Sequence, residues 1–281
     1  SGLVIPFSFR GQTPLRNFAV SRLFRLYPAY WLSIPVLAWV AAVKGVPIDL
    51  ATVLGNLTML QWLWGGWNIG PGYWTLNYEI GFYMLAVTLF ALRLLGDPRL
   101  LGGLVLIALL LALAPFVSAA GRISEMPFFV ALFLLGVLLR DVFAGKSAAA
   151  RRWACVLVPL AIVTGIVLGG AFVPVPNNAN VYFKPLALAS SMSLPIAVFA
   201  LVLWLKPRPG RVIMYCGTIS YSLYLFQDIG LHVLPHVLSP QDWPLTYMAG
   251  VFALTFVVSA MVYRFLEEPM IAIGRRVTHR S

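Results

Sequence analysis

Eight apolar runs dominate the sequence and constrain its fold more than any other feature. The hydrocarbon core of a membrane is about 30 Å thick, which an α-helix of about 20 residues spans. The runs lie at about 26–43, 73–92, 100–119, 126–139, 153–173, 186–205, 212–235 and 246–266. Only 10% of the residues are charged, whereas about a quarter are charged in a soluble domain. The sequence therefore predicts an all-α protein, a polytopic bundle of about eight transmembrane helices.

Lysine and arginine are distributed unevenly between these runs. Seventeen of the 20 basic residues fall in alternate connections, beginning with the segment before residue 26 and ending with the last residues of the chain. The intervening connections hold only Lys44, Arg122 and Lys184. Basic residues accumulate on the cytoplasmic side of membrane proteins, so both chain ends are predicted to be cytoplasmic. The net charge of +11 reflects this topology, and nucleic-acid binding is not predicted.

The segment 50–64 is shorter than a span and rich in tryptophan. Because tryptophan is enriched where membrane and water meet, we predict an interfacial helix on the non-cytoplasmic side. Its aromatic side chains fit a simple interface belt, and they also fit the floor of a site for a sugar or a lipid headgroup.

One carboxylate, that of Glu79, lies inside the predicted span 73–92. Thr75, Glu79 and Tyr83 follow one another at intervals of four and therefore share one face of the helix. An ionisable side chain at membrane depth is costly in contact with lipid, so it faces a bundle interior or a wet cavity. Glu79 is a candidate functional residue on this ground. The alternative is a structural hydrogen bond to a neighbouring helix.

A second polar face lies in the run 212–235. Its members recur every four residues and are Ser220, Tyr224, Asp228, His232 and His236. The carboxylate of Asp228 is placed to orient the His232 imidazole in a proton-handling pair. Two histidines at this spacing also suggest a metal site, but no further ligand cluster accompanies them, so no metal is predicted. For both histidines, a solvated interfacial position is the alternative.

Arg22 and Arg25 are spaced to share a helix face just before the first apolar run. Guanidinium groups match the geometry of phosphate oxygens, which makes this pair a candidate site for a phosphorylated cytosolic donor. Anchoring at the cytoplasmic side of the membrane also explains many such pairs.

Four motifs follow one another along the chain. They are RLFRLYPAYW at 22–31, YWTLNYEIGFYML at 73–85, ISYSLYLFQ at 219–227 and YRFLEEPM at 263–270. In this order they resemble the signatures of the acyltransferase 3 family of integral membrane acyltransferases, over nearly the whole chain. The last motif is similar to the family's terminal Glu-x-Pro, which Glu267 and Pro269 match. The sequence WTLNYE resembles the corresponding motif in the branch of the family that modifies exopolysaccharides.

The resemblance implies a core of ten helices, of which about eight are visible here. The opening residues, SGLVI, resemble the end of the family's second helix, so we expect one transmembrane acyltransferase domain over 1–281 without the first two helices. The family's first helix carries an Arg and a His, and that His is the expected catalytic base. No residue here maps onto it, and Gln227 replaces another family His. The visible chain is therefore expected to be catalytically incomplete.

The resemblance further implies an O-acyltransferase that moves an acyl group, acetyl in particular, from cytosolic acyl-CoA to a sugar hydroxyl. The acceptor would be an exopolysaccharide, a lipopolysaccharide or a lipid-linked glycan. In this interpretation Glu79 and Asp228 are catalytic, and Arg22 and Arg25 hold the phosphates of acetyl-CoA. The expected substrate-binding residues are Trp74, Thr75, Tyr83, Ser220 and Tyr224. The implied location is the bacterial inner membrane, among membrane lipids and glycan-assembly proteins.

Two other functions fit the same residues. A transporter or flippase for a lipid-linked sugar or a small anion would also place Glu79 and Asp228 within the membrane. A scaffold in a glycan-assembly complex would need no catalytic base. Consumption of acyl-CoA separates the enzyme from a transporter, which moves its substrate chemically unchanged.

Overall fold

The computed structural model describes most of the chain, and the described part is predominantly helical. The described residues are 2–9, 11–43, 45–64, 66–70, 72–117, 125–145, 147–171, 185–239 and 241–279. They contain no β-strand, which confirms the predicted all-α fold. The α-helices are α1 (Pro14–Val43), α2 (Leu50–Asn56), α3 (Tyr73–Ala91), α4 (Pro98–Val117), α5 (Met126–Phe143), α6 (Ala148–Ala171), α7 (Pro185–Leu205), α8 (Arg211–Val233), α9 (Pro244–Val262) and α10 (Glu268–His279).

Helices occupy all eight positions at which the sequence predicts a span. Among the described residues, six stretches are long and apolar enough to cross a membrane, namely α1, α4, α5, α6, α7 and the run from α9 through α10. The remaining two, α3 and α8, have 19 and 23 residues but carry polar side chains such as Glu79 and Asp228. Six of the eight predicted spans are thus confirmed. The other two helices, α3 and α8, are long enough to cross a membrane but not apolar enough.

Packing divides the chain into two compact units, and the boundary falls within α3 between Ile80 and Gly81. The first unit comprises Ser1–Phe7 and Gly81–Arg208, which includes α4, α5, α6 and α7. The second unit comprises Ser8–Ile80 and Pro209–Ser281, which includes α1, α2, α8, α9 and α10.

Within the first unit, α6 and α7 pack through close approach of their backbones. Gly169 faces α7, and a side-chain carbon at this position would overlap the backbone of Ala189. Small residues at such crossings let membrane helices come into van der Waals contact. Elsewhere in the unit large side chains fill the space, for example Phe82, which stacks on Phe133 with ring centres 4.4 Å apart.

Within the second unit, α1 packs against α8 and α10. The Tyr221 hydroxyl of α8 donates a hydrogen bond to the Leu26 carbonyl of α1 at 2.9 Å. On α10, Gly274 lies against the Phe24 side chain, where an added side-chain carbon would be 2.8 Å from Phe24 Cβ. A π-helical turn, Tyr263–Glu267, joins α9 to α10 without interrupting the helical run. These contacts hold the motif at 219–227 and the final helix against the basic end of α1.

The predicted interfacial helix over 50–64 is corrected by the structure. Only Leu50–Asn56 is α-helical, and a 3₁₀ turn covers Gln61–Trp64. Asp49 begins α2 by accepting hydrogen bonds from Thr52, which hold the pKa of the Asp49 carboxyl below its usual range. As a short helix with a capped start, α2 leaves its last carbonyls to be satisfied from elsewhere.

Three aromatic side chains from the middle of α1 donate hydrogen bonds to carbonyls at the end of α2 and just after it. Tyr30 donates to the carbonyl of Asn56 at 2.6 Å, Trp31 to that of Leu57 at 3.0 Å and Tyr27 to that of Thr58 at 3.0 Å. Tyr27–Trp31 lies 12 to 16 positions before the end of α1, which corresponds to roughly 18–24 Å of helix. The end of α2 therefore lies beside the middle of α1 rather than at its terminus.

Candidate active site

The first turn of α3 is held in place by buried polar contacts with α1. The Tyr73 hydroxyl and the Ser33 hydroxyl are hydrogen-bonded at 2.5 Å, and both residues are buried. The ring of Tyr73 also packs on that of Tyr30, with centres 4.7 Å apart. Since Tyr30 binds the end of α2 as well, one buried chain of contacts positions both α2 and the start of α3.

The Tyr224 side chain of α8 meets this start of α3. Its hydroxyl lies 2.6 Å from the carbonyl oxygen of Gly72 and 2.5 Å from the hydroxyl of Thr75, which is itself 3.0 Å from the same carbonyl. These three contacts share only two protons, one from each hydroxyl. In the contact between Thr75 and Tyr224, either hydroxyl can therefore be the donor. The contact fixes α8 against α3 at a polar position.

Two carboxylates lie one helical turn from these joined hydroxyls. Glu79 follows Thr75 by four residues on α3, and Asp228 follows Tyr224 by four residues on α8. Both carboxylates are half-buried and close enough to the Tyr224 hydroxyl to interact with it electrostatically. The structure therefore brings Thr75, Glu79, Tyr224 and Asp228 together, and we call these four residues the polar cluster. Carboxylates and hydroxyls in this arrangement can accept and relay a proton.

The other residues expected to bind substrate lie outside the polar cluster. Ser220 is exposed, and its hydroxyl donates to the Gly217 carbonyl of its own helix at 2.9 Å. Trp74 is 39% exposed and meets Tyr78 edge to face, with ring centres 5.8 Å apart. Tyr83 belongs to the first unit and is buried there. The predicted roles of these residues remain predictions.

The arginine pair predicted to hold the donor lies at the basic end of α1. Arg22 donates to the Ser8 hydroxyl at 2.5 Å, and its guanidinium lies over the Phe18 ring at 5.4 Å. Arg25 is exposed and interacts electrostatically with Glu267. Contacts within the protein thus position the Arg22 guanidinium, and the role of both arginines in binding a donor remains a prediction.

Two buried residues, Ser222 and Glu267, connect two of the four motifs, and the sequence patterns assign no functional role to this contact. The hydroxyl of Ser222, which is fully buried, donates to the carboxylate of Glu267, which is 2% exposed. Glu267 is the last residue of the π-helical turn, and its carboxylate reaches α8 through the hydrogen bond from Ser222. The sequence feature that points to this contact is the acidic residue Glu267, which directly follows the last apolar run. A sequence pattern does not show which hydroxyl on another helix meets it.

Next to Asp228 along α8, His232 lines a cavity of about 420 Å³ in the second unit. The opposite wall comes from Trp39, Val40 and Val43 near the end of α1, and the rest of the lining is mainly aliphatic. The predicted pairing of Asp228 with His232 remains a prediction, and the side chain of His236 lies outside the described part of the structure. Among the described residues, no group of three or more potential ligands is placed to hold a metal ion.

The contact between Tyr224 and Thr75 makes a prediction about stability. Tyr224→Phe and Thr75→Val each remove one hydroxyl and are expected to lower the free energy of unfolding by about 1 kcal/mol. Because both substitutions break the same contact, the double variant should lose less than the sum, with a coupling of about 0.5 kcal/mol or more. Unfolding in mixed micelles with increasing sodium dodecyl sulfate measures the three losses. Strictly additive losses would contradict the contact.

The apolar helices with a polar cluster at the junction of α3 and α8 define an integral membrane protein with the chemical groups of an acid–base enzyme. The model of the acyltransferase 3 family, described as an acyltransferase domain, matches residues 1–264, and the chain belongs to this family. It is therefore a membrane acyltransferase in general class. Comparisons with curated proteins and with solved structures give no significant match.

Proposed function

We propose that the protein is an O-acyltransferase that moves an acyl group, acetyl in particular, from acyl-CoA to a sugar hydroxyl. The acceptor is an exopolysaccharide, a lipopolysaccharide or a lipid-linked glycan. Family membership supports acyl transfer as the general activity. The observation that carries the proposal within the structure is the hydrogen-bonded contact of Thr75 with Tyr224, one helical turn before Glu79 and Asp228 on their respective helices.

The reaction needs a group that activates the acceptor. An uncharged sugar hydroxyl is a weak nucleophile, so a base must remove its proton as its oxygen attacks the thioester carbonyl. The new C–O bond then forms, the C–S bond breaks, and the CoA sulfur leaves as a thiol after taking up the proton. Glu79 orients that base or the acceptor, and Asp228 takes part in moving the proton, while Thr75 and Tyr224 form part of the wall that positions the acceptor.

The donor is expected at the basic end of α1. Arg22 and Arg25 lie in the first half of this helix, on the side of the membrane where basic residues accumulate. Guanidinium groups bind phosphate oxygens with paired hydrogen bonds, as the diphosphate of acyl-CoA requires. The same asymmetry of basic residues supports an orientation with both chain ends in the cytoplasm. The proposed location in the bacterial inner membrane follows from the resemblance to the exopolysaccharide-modifying branch.

The test is acyl transfer by the purified protein, expressed from its complete gene and reconstituted in liposomes. Acetyl-CoA with a labelled acetyl group is supplied together with a glycolipid extract from a strain that lacks the gene. Labelled glycolipid and free CoA thiol should appear in equal amounts. A transporter would instead move the glycolipid across the bilayer without releasing thiol, and that result would overturn the proposal.

A further inference from the structure

A cavity of about 240 Å³ lies in the first unit, between the beginnings of α4 and α6 and apart from every residue discussed above. Its wall is formed by Arg99, Ala149, Arg152, Trp153 and Val156. Two guanidinium groups and one indole thus share a small site at the end of the helices where basic residues accumulate.

The aromatic wall of this cavity is built into the helix packing. The half-buried ring of Trp153 occupies the space that a side chain at Gly102 of α4 would need, so α4 supports the ring directly. Tryptophan prefers the level of the lipid headgroups and glycerol, where its ring is apolar and its N–H can meet water. Trp153 therefore marks the depth of the membrane interface at this site.

The positive character of the cavity comes from its side chains and not from helix ends. Asp97 already accepts hydrogen bonds from the first amides of α4, including that of Arg99 at 2.8 Å. The Ser147 hydroxyl accepts a hydrogen bond from the amide of Ala150 at the start of α6, at 3.1 Å. Since these amides are occupied, an anion in the cavity would be held by the guanidinium groups of Arg99 and Arg152.

Exposed apolar side chains continue from the cavity along both helices. On α6, Val156 and Val163 are 60% and 53% exposed, at four and eleven residues beyond Arg152. On α4, Ile107 and Leu110 are 54% and 55% exposed, at eight and eleven residues beyond Arg99. These spacings keep each set near the face of its arginine. No atom lies within 4 Å of the side-chain position at Gly103, so the surface of α4 beyond Arg99 is open there.

We propose that this cavity and the exposed apolar side chains beyond it bind one anionic phospholipid, with its phosphate on Arg99 and Arg152. Trp153 contacts the glycerol region, and the acyl chains follow the exposed apolar side chains of α4 and α6. A nucleotide would use the arginines and the indole but would leave the exposed apolar side chains uncovered. Anionic lipid is also the component of the cytoplasmic leaflet that basic side chains attract.

Native mass spectrometry of the purified protein, titrated with phosphatidylglycerol or phosphatidylcholine, tests this proposal. Hydrogen bonds to a charged group are stronger than neutral ones, so removing both guanidinium groups in Arg99→Gln/Arg152→Gln should weaken phosphatidylglycerol binding at least about 30-fold. Phosphatidylcholine also carries a phosphate but has no net charge, so it should bind more weakly and lose less affinity than phosphatidylglycerol. The matched control is Arg151→Gln/Arg208→Gln, which removes the same charge from exposed positions outside the cavity. Equal weakening by both double variants would show non-specific charge attraction and overturn the proposal.

Two soluble probes distinguish a lipid from other sources of phosphate. Inorganic phosphate and adenosine 3′,5′-bisphosphate are titrated calorimetrically into the lipid-depleted protein. Neither should bind at millimolar concentration in a way that depends on Arg99 and Arg152, because neither covers the exposed apolar side chains. Binding of the bisphosphate that both arginine substitutions abolish would identify a nucleotide site and overturn the lipid assignment. Such binding of inorganic phosphate alone would identify an anion site and overturn it equally.

Discussion

Glu79→Gln is expected to reduce acyl transfer at least 100-fold while leaving the protein folded. Glutamine has nearly the size of glutamate but neither accepts a proton nor carries a charge. General acid–base catalysis commonly contributes about 100-fold to 10,000-fold, and the side chain lies next to the joined hydroxyls of Thr75 and Tyr224. The rate of CoA release in liposomes measures the loss, and size-exclusion elution with thermal unfolding in detergent verifies the fold.

The matched control for this change is Glu268→Gln. Glu268 forms an ion pair with Arg264 at an exposed position of α10, and exposed pairs of this kind contribute little to stability. Its amide variant should therefore transfer acyl groups at the rate of the unchanged protein. If Glu79→Gln and Glu268→Gln were equally active, Glu79 would have no role in the reaction.

Ser222→Ala is expected to cost about 2 kcal/mol of stability, since it leaves the buried Glu267 carboxylate without the hydroxyl that donates to it. The two residues join α8 to the turn between α9 and α10, so the loss should also loosen the packing of the final helix. The measurement is the midpoint of unfolding in mixed micelles, supported by faster proteolysis within α10.

Ser220→Ala controls for the removal of a serine hydroxyl from the same helix. Ser220 is exposed and hydrogen-bonds only within α8 among its described contacts, so its substitution should change stability by less than about 0.5 kcal/mol. Equal stability of Ser222→Ala and Ser220→Ala would show that the buried hydroxyl does not hold Glu267.

The positions of the membrane helices follow from the sequence because length and hydropathy decide them. The predicted runs 100–119 and 186–205 nearly coincide with α4 and α7, where almost every side chain is apolar. The first helix begins earlier than its run, at Pro14, since the basic residues Arg16, Arg22 and Arg25 continue it at the membrane surface. Hydropathy indicates the part of a helix in the membrane and not the turns that extend it.

The polar cluster was predictable within each helix but not between helices. The interval of four residues correctly placed Glu79 beside Thr75 and Asp228 beside Tyr224, because helical geometry fixes such neighbours. The same interval also included Ser220, which is exposed. Periodicity defines a face, but the neighbouring helix decides how much of that face is covered. For this reason the contact of Tyr224 with Gly72 and Thr75 required the structure.

The segment after α1 shows another limit of sequence patterns. Tryptophan content predicted an interfacial helix over 50–64, whereas hydrogen bonds from Tyr27, Tyr30 and Trp31 hold the end of α2 beside the middle of α1. These aromatic side chains belong to the motif RLFRLYPAYW. Their donors reach carbonyls more than 25 residues away, a distance over which no local pattern extends.

Reaction of a cysteine at position 79 tests most directly whether this site is open to water within the membrane. The variant Glu79→Cys is made in a protein whose Cys155 and Cys216 are replaced by alanine. Maleimides react with the thiolate, which forms in water and not in hydrocarbon. Met84→Cys, at a 63% exposed apolar position, provides the lipid-facing comparison. We expect rapid modification at position 79, slowed by acetyl-CoA, and almost none at position 84. Equal and slow modification at both positions would place the Glu79 side chain in lipid and contradict a reaction chamber around it.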